Sequence, residues 1–212
     1  MQKGDFVRVA FSGKLKETGQ ALDKADSAPI IIGEKWVIPG VDEALEGMNV
    51  GDKKNIEVAP DKGFGQRNPS LVKLVPEAEF RRHGTKPTPG LIVNADNRRG
   101  RVLSVSSGRV RVDFNHPLAG RVLEYDLEIK EKLEKPEDKI KAVVEFYSRV
   151  YLKDLKVTIN GKEVEVVVPP MMQSVAKKKS ADIIMKFMDI DTVKFSEIYL
   201  RKKEAAPEEK KE

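Results

Sequence analysis

The stretch from Gly33 to Gly65 constrains the fold most, because it holds a strand around 36–38, a short helix, a tight turn and an aromatic loop in a span too brief for any other core. The Pro39-Gly40 pair bends the backbone and starts the helix. One side of that helix is apolar at helical spacing, at Val41, Ala44, Leu45 and Met48. Gly47 ends the helix, and alternation over 54–58 predicts a strand with one polar face. The sequence therefore predicts a helix lying across a sheet, with a shallow apolar bowl at its first residues.

The residues before this stretch supply further strands of the same sheet. Apolar and polar residues alternate over 5–12, which predicts one strand, and Ala21-Leu22-Asp23 belong to a second. Turn chemistry over 17–20 predicts a hairpin between the two strands. Residues 30–32 are three isoleucines, which we interpret as a separate buried strand that leads into the central stretch.

The composition changes after Gly65, and residues 69–114 have the pattern of a small β-rich domain inserted into the first one. A strand over 71–75, a helical turn starting at Pro76, and three short strands over 91–95, 101–105 and 109–114 are predicted. Residues 115–134 return the chain to the parent sheet with a closing strand, so the host domain comprises 1–68 and 115–134. We expect a charged linker over 128–137.

Residues 135–204 are predicted to form a third domain with the element order α-β-β-α-β. One face of its first helix is apolar, at Ile140, Val143, Val144, Tyr147, Val150 and Tyr151. Two strands flank the hairpin signal Asn160-Gly161, a second helix spans about 171–188, and the last strand spans 192–201. Residues 205–212 are a charged tail that we expect to be disordered.

Composition narrows the function classes. The chain has 212 residues, no cysteine and two histidines, so we expect no disulfide, no thiolate nucleophile, no metal site and no cofactor. Without a long apolar run or a signal peptide, a soluble cytoplasmic protein with no membrane partner is expected. The basic clusters at 98–101 and 177–179 lack interleaved aromatic residues, so a solvated surface is a better interpretation than nucleic-acid binding.

Several ordered motifs resemble a known family. These are V-A-F-S-G, A-L-D, V-I-P-G-x-x-x-A-L, G-D, G-F-G-Q and N-H-P-L-A-G, which cover about the first two thirds of the chain. They resemble the FKBP-type peptidyl-prolyl cis-trans isomerases, specifically the SlyD-like long archaeal branch. The resemblance implies an α+β protein in which an FKBP-type antiparallel sheet wraps on a short helix, with an insert-in-flap chaperone domain and a C-terminal domain.

The implied reaction is consistent with the missing catalytic motifs. The sequence has no dinucleotide loop, no P-loop and no Ser-His-acid set. Rotation about an X-Pro bond is opposed by an amide-resonance barrier of about 18–20 kcal/mol, and no bond is made or broken. A protein lowers this barrier by binding the twisted imide better than either planar isomer. An apolar pocket with one or two polar groups is sufficient.

The resemblance also implies the site residues. It places the catalytic wall at Phe11, Asp23, Val37, Ile38, Phe64 and Tyr125, with Leu22 and Val41 as substrate-binding neighbours. The backbone N–H of Ile38 would bind a substrate carbonyl, and Asp23 would form the polar wall. Val41 replaces a tryptophan of the best-known members, and Phe11 and Phe64 lack hydroxyl groups. These departures predict a wider, less polar pocket with weak macrolide binding and leave the turnover open.

Client capture and assembly are less determined by the sequence. Leu71, Val72, Leu74, Val75 and Phe80 form either a capture surface for unfolded polypeptides or a local core. The C-terminal domain could form a homodimer or bind clients. The leading hypothesis is an isomerase that acts on X-Pro bonds of folding proteins and also works as a chaperone. The alternative is a holdase on the same scaffold with little isomerase activity.

Overall fold

A computed structural model describes residues 1–95, 98–149 and 155–199 of the chain. These residues form eleven strands: β1 (Phe6–Leu15), β2 (Ala21–Ile31), β3 (Lys53–Val58), β4 (Val72–Pro76), β5 (Ile92–Ala95), β6 (Arg98–Ser106), β7 (Arg109–Asp113), β8 (Leu123–Lys132), β9 (Lys156–Asn160), β10 (Glu163–Val168) and β11 (Thr192–Glu197). The four α-helices in the same ranges are α1 (Pro39–Leu45), α2 (Glu77–Arg82), α3 (Pro136–Ser148) and α4 (Ser174–Phe187). The predicted α+β class is confirmed.

The first sheet has the strand order β2-β1-β8-β3 and is antiparallel throughout. Helix α1 lies on it and buries Val41, Ala44 and Leu45 against the sheet. Pro39 begins this helix because its fixed φ suits the first helical position, and Gly47 with φ +80° follows its end. The predicted helix on an antiparallel sheet is therefore confirmed.

Strand β2 corrects one prediction. Residues 21–23 and 30–32 were assigned to two strands, but 21–31 form one continuous strand that pairs with β1 through two register shifts. Pro29 does not interrupt this strand, because β2 is the edge of the sheet and the missing N–H faces no partner there. The first strand is also longer than predicted and reaches Leu15.

The second sheet, order β4-β7-β6-β5, lies within the inserted segment. Its core is formed by Val102, Val110 and Val112, against which Phe80 of α2 packs. The strand predicted over 71–75 starts at Val72, because residues 69–71 form a 3₁₀ turn in which the Asn68 side chain accepts from the Ser70 N–H. The strand predicted over 101–105 starts earlier, at Arg98, and residues 96–97 lie outside the described residues.

Hydrogen bonds and one ion pair connect the two segments through which the chain enters and leaves the insert. Arg67 is paired with Asp113, and the Asn115 side chain donates to the Asn68 carbonyl at 3.0 Å. The Asp113 carboxylate also accepts from the backbone N–H and the side-chain amide of Asn115, at 2.9 and 2.7 Å. Burial alone would raise the pKa of Asp113, but these hydrogen bonds and Arg67 outweigh it and lower the pKa.

The C-terminal sheet has the order β11-β10-β9, with β10 and β11 parallel and α4 as the crossover between them. The predicted α-β-β-α-β order is confirmed. The second helix starts at Ser174 instead of about 171, because the residues after Pro169-Pro170 form a turn that leaves Met171 exposed. The last strand, predicted over 192–201, ends at Glu197. Val150, Tyr151, residues 200–201 and the tail 205–212 lie outside the described residues.

The predicted charged linker over 128–137 is wrong. Strand β8 continues to Lys132, which pairs with Val7, and Leu133 is buried before α3 starts at Pro136. Pairing with β1 satisfies the backbone hydrogen bonds of β8, and the charged side chains on its exposed face point to solvent. The host sheet therefore runs directly into the C-terminal domain.

The C-terminal core includes residues of the first sheet. Phe6, Ile31 and Leu133 belong to the same buried cluster as Ile140, Val143 and Val166. The Phe6 ring packs edge-on against Phe187 at 5.6 Å, and Arg8 forms a mostly buried ion pair with Glu145 at 2.8 Å. None of the helices in the described part of the chain has both the length and the hydropathy needed to cross a bilayer.

We expect Asp113→Asn to lower the free energy of unfolding at pH 7 by about 1–3 kcal/mol, because a charged acceptor of several hydrogen bonds is lost. The folded-state pKa of Asp113 is lowered, so its contribution is complete above the unfolded value and disappears as the pH falls through the folded value. The difference between variant and wild type should therefore shrink below about pH 4, as measured by urea unfolding. Asp61→Asn, at an exposed carboxylate, is the control. An equal difference at about pH 7 and about pH 2 would contradict this prediction.

Candidate active site

The bowl predicted beside α1 is a cavity of about 560 Å³. Its lining includes Phe11, Asp23, Val37, Ile38, Val41, Phe64 and Tyr125, together with Lys35, Trp36 and Pro39. All six residues predicted for the catalytic wall thus share one cavity, and the buried Val41 lies at its floor. Leu22 is not in the lining and packs at the edge of the host core. Adjacent strand residues point to opposite sides, so Leu22 and Asp23 cannot both face the bowl.

One backbone donor of interest belongs to Ile38, a residue that lines this cavity. Ile38 is extended and precedes α1, and its carbonyl accepts from Val41 and Asp42 at 3.0 and 3.1 Å. Its N–H has no acceptor among the described residues. A backbone donor without a partner is costly unless water or a ligand satisfies it. This N–H is therefore available to a carbonyl oxygen bound in the bowl.

The segment before Ile38 is a series of turns, which corrects the predicted strand around 36–38. The buried carboxylate of Asp42 accepts from the N–H groups of Gly33 and Lys35, at 2.9 and 3.4 Å, and Lys35 has φ +56°. Trp36 stacks on Phe146 of α3, with ring centroids 3.8 Å apart and planes 11° from parallel. The loop is thus held by α1 on one side and by the C-terminal domain on the other.

The polar wall depends on Gly13, a residue that the sequence reasoning missed. Gly13 pairs with Asp23 on one side and with Tyr125 on the other. A Cβ atom at this position would lie 2.5 Å from the Tyr125 ring and clash with the Asp23 carboxylate. The missing side chain therefore lets Asp23 and Tyr125 approach each other across β1. The alternating pattern of β1 gave no indication of this, because Gly13 was taken as the end of the strand.

The phenol of Tyr125 stays protonated in this position. Burial, the charge of Asp23 and a hydrogen bond to Asp23 all raise the pKa of Tyr125 above its ordinary value. Tyr125 is only 4% exposed and packs near the Phe11 ring, with centroids 6.4 Å apart. The site thus contains a neutral hydroxyl beside a carboxylate on an otherwise apolar wall.

The opposite rim is formed by Phe64, which stacks on His116 with ring centroids 4.4 Å apart and planes 3° from parallel. The His116 Nδ1 accepts from the Leu118 N–H at 3.2 Å, which orients the imidazole. The sequence patterns described above do not assign a role to His116. A sequence signal for its contact with Phe64 does exist, because His116 lies in the N-H-P-L-A-G motif, where the chain returns from the insert.

A second, larger cavity of about 1200 Å³ lies in the inserted segment. Val75, Phe80, Leu91, Val93 and Phe114 line it, and they also pack on the local core. Of the residues predicted for client capture, only Val75 and Phe80 belong to this groove. Leu71, Val72 and Leu74 do not, and Leu74 is 59% exposed on the other side of β4. Within the described residues, no three or more His, Asp and Glu side chains are arranged to hold a metal ion.

Comparisons with known proteins point to one family. The profile described as FKBP-type peptidyl-prolyl cis-trans isomerase matches residues 1–81, and the profile described as FKBP26, IF domain matches residues 73–118. The short-type peptidyl-prolyl cis-trans isomerase of Methanocaldococcus jannaschii is 30% identical over 146 residues, which are 62% of this chain and 93% of that protein.

Two bacterial proteins are also similar. The probable FKBP-type 16 kDa peptidyl-prolyl cis-trans isomerase of Pseudomonas fluorescens is 36% identical over 131 residues, covering 58% of this chain and 85% of that protein. The FKBP-type peptidyl-prolyl cis-trans isomerase SlyD of Aeromonas hydrophila is 32% identical over 122 residues, covering 54% and 57%.

We expect Gly13→Ala to separate Asp23 from Tyr125 and to lower kcat/KM for a proline peptide by about tenfold, because overpacking costs roughly 1–3 kcal/mol where the neighbours cannot relax. Gly13→Ala with Tyr125→Leu removes the ring that the new methyl group meets. Because the methyl group would still meet the Asp23 carboxylate, its further effect in the Tyr125→Leu background should be smaller than in the wild type but not zero. A protease-coupled isomerase assay measures all four proteins. Full activity of Gly13→Ala would contradict this account of the wall.

Proposed function

Because the chain belongs to the FKBP-type peptidyl-prolyl cis-trans isomerase family, we propose that the bowl beside α1 is where it isomerises X-Pro bonds. The proposed catalytic wall is Phe11, Asp23, Val37, Ile38, Phe64 and Tyr125, with Val41 as the floor. The observation that carries the proposal is the Ile38 N–H, which has no acceptor in the described part of the chain and belongs to a residue that lines an apolar cavity. Substrates are polypeptides that contain proline.

In the proposed mechanism the proline ring enters the apolar wall, and the carbonyl before or after it accepts from the Ile38 N–H. The planar imide is stabilised by resonance that places partial charge on its oxygen, and water supports that charge. The apolar wall withholds water, so the planar forms lose more stabilisation than the twisted form. The Tyr125 hydroxyl and the Asp23 carboxylate fix the peptide backbone, and no group attacks it.

The pH dependence follows from the raised pKa of Tyr125. The phenol is neutral below its ordinary value of 10 and remains neutral above it, since both burial and Asp23 disfavour the phenolate. Its role as a hydroxyl is thus preserved over the physiological range. The holdase alternative, in which the same bowl binds without accelerating rotation, is disfavoured by membership in a family of isomerases.

The second part of the proposal is a chaperone role. The groove lined by Val75, Phe80 and Val93 is open, apolar at its base and separate from the bowl, so it could hold an exposed apolar segment while the bowl acts on a nearby proline. The domain boundaries belong to the same proposal: 1–68 with 115–134 as isomerase, 69–114 as insert, and 135–204 with a tail at 205–212. A cytoplasmic location is proposed with them.

The C-terminal domain is proposed to form a homodimer or to bind clients through one end of its sheet. Exposed apolar side chains follow β10 and β11 at that end: Met171, Val175, Ile198 and Tyr199. Removing the domain would be a poor experiment, because Phe6 and Ile31 of the first sheet would lose their buried partners. Sedimentation of the full chain beside Val175→Lys distinguishes dimerisation from client binding instead.

Ile38→Pro tests the proposed donor. The φ of Ile38 is −62°, which proline adopts without strain, and an apolar ring remains in place of the side chain. Loss of the N–H should lower kcat/KM about tenfold, the upper end expected for one neutral hydrogen bond. Ile38→Val keeps the N–H and is the control. Equal activities of the two variants in the protease-coupled assay would rule out the proposed role of this donor.

Val93→Glu tests the groove. A carboxylate on its apolar base should abolish suppression of aggregation of an unfolded, proline-free protein, because burying an unpaired charge is unfavourable. Isomerase activity toward a short peptide should be retained, since the bowl lies in another sheet. Thr88→Glu adds the same charge on an exposed loop of the insert. If both variants suppress aggregation equally well, the groove is not the capture site.

A further inference from the structure

The positive charge of the chain is concentrated in the inserted segment. Residues 69–114 contain nine Lys and Arg against four Asp and Glu, a formal excess of five. The full chain has 39 against 34, which is the same excess. The remaining residues are therefore balanced, and any long-range attraction of anions is directed to the insert.

The fold places four of these charges on one face of the insert sheet. Arg109 and Arg111 are exposed on β7, while the intervening Val110 and the following Val112 are buried. On β6, Arg99 and Arg101 are exposed and the alternating Gly100 and Val102 are buried. Asp113 pairs with Arg101 across the two strands, so both strands present the same side. We call Arg99, Arg101, Arg109 and Arg111 the arginine face; it is opposite to the valine core and to the groove.

Across the described residues, the arginine face has no carboxylate partner. None of its four guanidinium groups forms an ion pair or a side-chain hydrogen bond within the described residues, whereas those of Arg67, Arg81, Arg82 and Arg121 all do. The acid on this face, Asp113, is already occupied by Arg67 and Asn115. Four like charges on adjacent strands repel one another, and this repulsion disfavours the folded state.

We propose that the arginine face binds acidic segments of other polypeptides in an extended conformation. Alternate residues of a strand are about 6.6–6.8 Å apart, so carboxylates at every second position of such a segment match Arg109 and Arg111. Bidentate carboxylate recognition suits the guanidinium group. The site lies apart from both the bowl and the groove, so it is an additional function of the insert.

The apolar neighbours favour a polypeptide over a nucleic acid. Leu74 is adjacent to Arg111 across the β4–β7 pairing and is 59% exposed, and Val72 is on the same side of β4. An amphipathic peptide can cover these side chains. Single-stranded nucleic acids are held by stacking of bases on aromatic rings. The aromatic residues of the insert, Phe80 and Phe114, pack on the valine core and are not on the arginine face.

Fluorescence anisotropy with the full-length protein tests the proposal. The probe is a labelled, proline-free peptide in which glutamate and leucine alternate, and the same peptide with lysine in place of glutamate is its matched control. Binding of the acidic peptide should weaken about tenfold in the double variant R109E and R111E, and should weaken as salt is raised. The double variant K178E and K179E changes the net charge equally at exposed sites of α4 and should bind like the wild type.

Three results would overturn the proposal. These are equal binding of the acidic and lysine peptides, equal loss in both double variants, and tighter binding of a labelled single-stranded RNA that is lost in R109E and R111E. The third result would assign the face to nucleic acid instead. Far-UV circular dichroism of both variants identifies loss of binding that comes from unfolding. Because the peptide contains no proline, the result does not depend on the isomerase site, and Val93→Glu shows whether the groove contributes.

Discussion

The hydrogen bonds from Gly33 and Lys35 to the buried carboxylate of Asp42 are the constraint on which the site depends. They fold the segment before α1 back onto the first turn of that helix, where a negative charge is also favoured by the helix dipole. With the loop fixed in this way, Val37 and Ile38 line the bowl, and the Trp36 ring at its edge stacks on Phe146 of α3. The free N–H of Ile38 is a product of the same arrangement, since the residue is extended and outside any strand.

The two added segments are connected to this platform by different kinds of interaction. The insert is joined mainly by polar contacts at the chain crossings, through Arg67, Asn68, Asp113 and Asn115. The C-terminal domain shares a buried apolar core with β1 and β2. Polar contacts at an exposed junction contribute little and are screened by salt, whereas a shared core resists separation. Domain motion is therefore expected for the insert and not for the C-terminal domain.

Secondary structure was predicted best where one face of a strand or helix is exposed to solvent. Alternation identified β1, β3 and β8, and the apolar stripe with Pro39 and Gly47 identified α1. The sequence-based prediction failed where tertiary contacts determine the secondary structure. One case is Pro29, which is tolerated because its strand is at the edge of the sheet. The other is 128–137, where pairing with β1 forms a strand in spite of the charged composition. Gly13 and His116 were missed because their importance lies in what they touch across strands and loops, and no local pattern records this.

The stack of Trp36 on Phe146 connects the C-terminal domain directly to the loop that lines the bowl. Whatever displaces α3 also displaces the peptide unit two residues from the Ile38 donor. Substitutions in the C-terminal domain therefore change the shape of the bowl when they move α3, even at positions that do not line the bowl. A chimera that exchanges C-terminal domains between relatives would have a bowl of altered shape, unless the indole and its facing ring were exchanged as a pair.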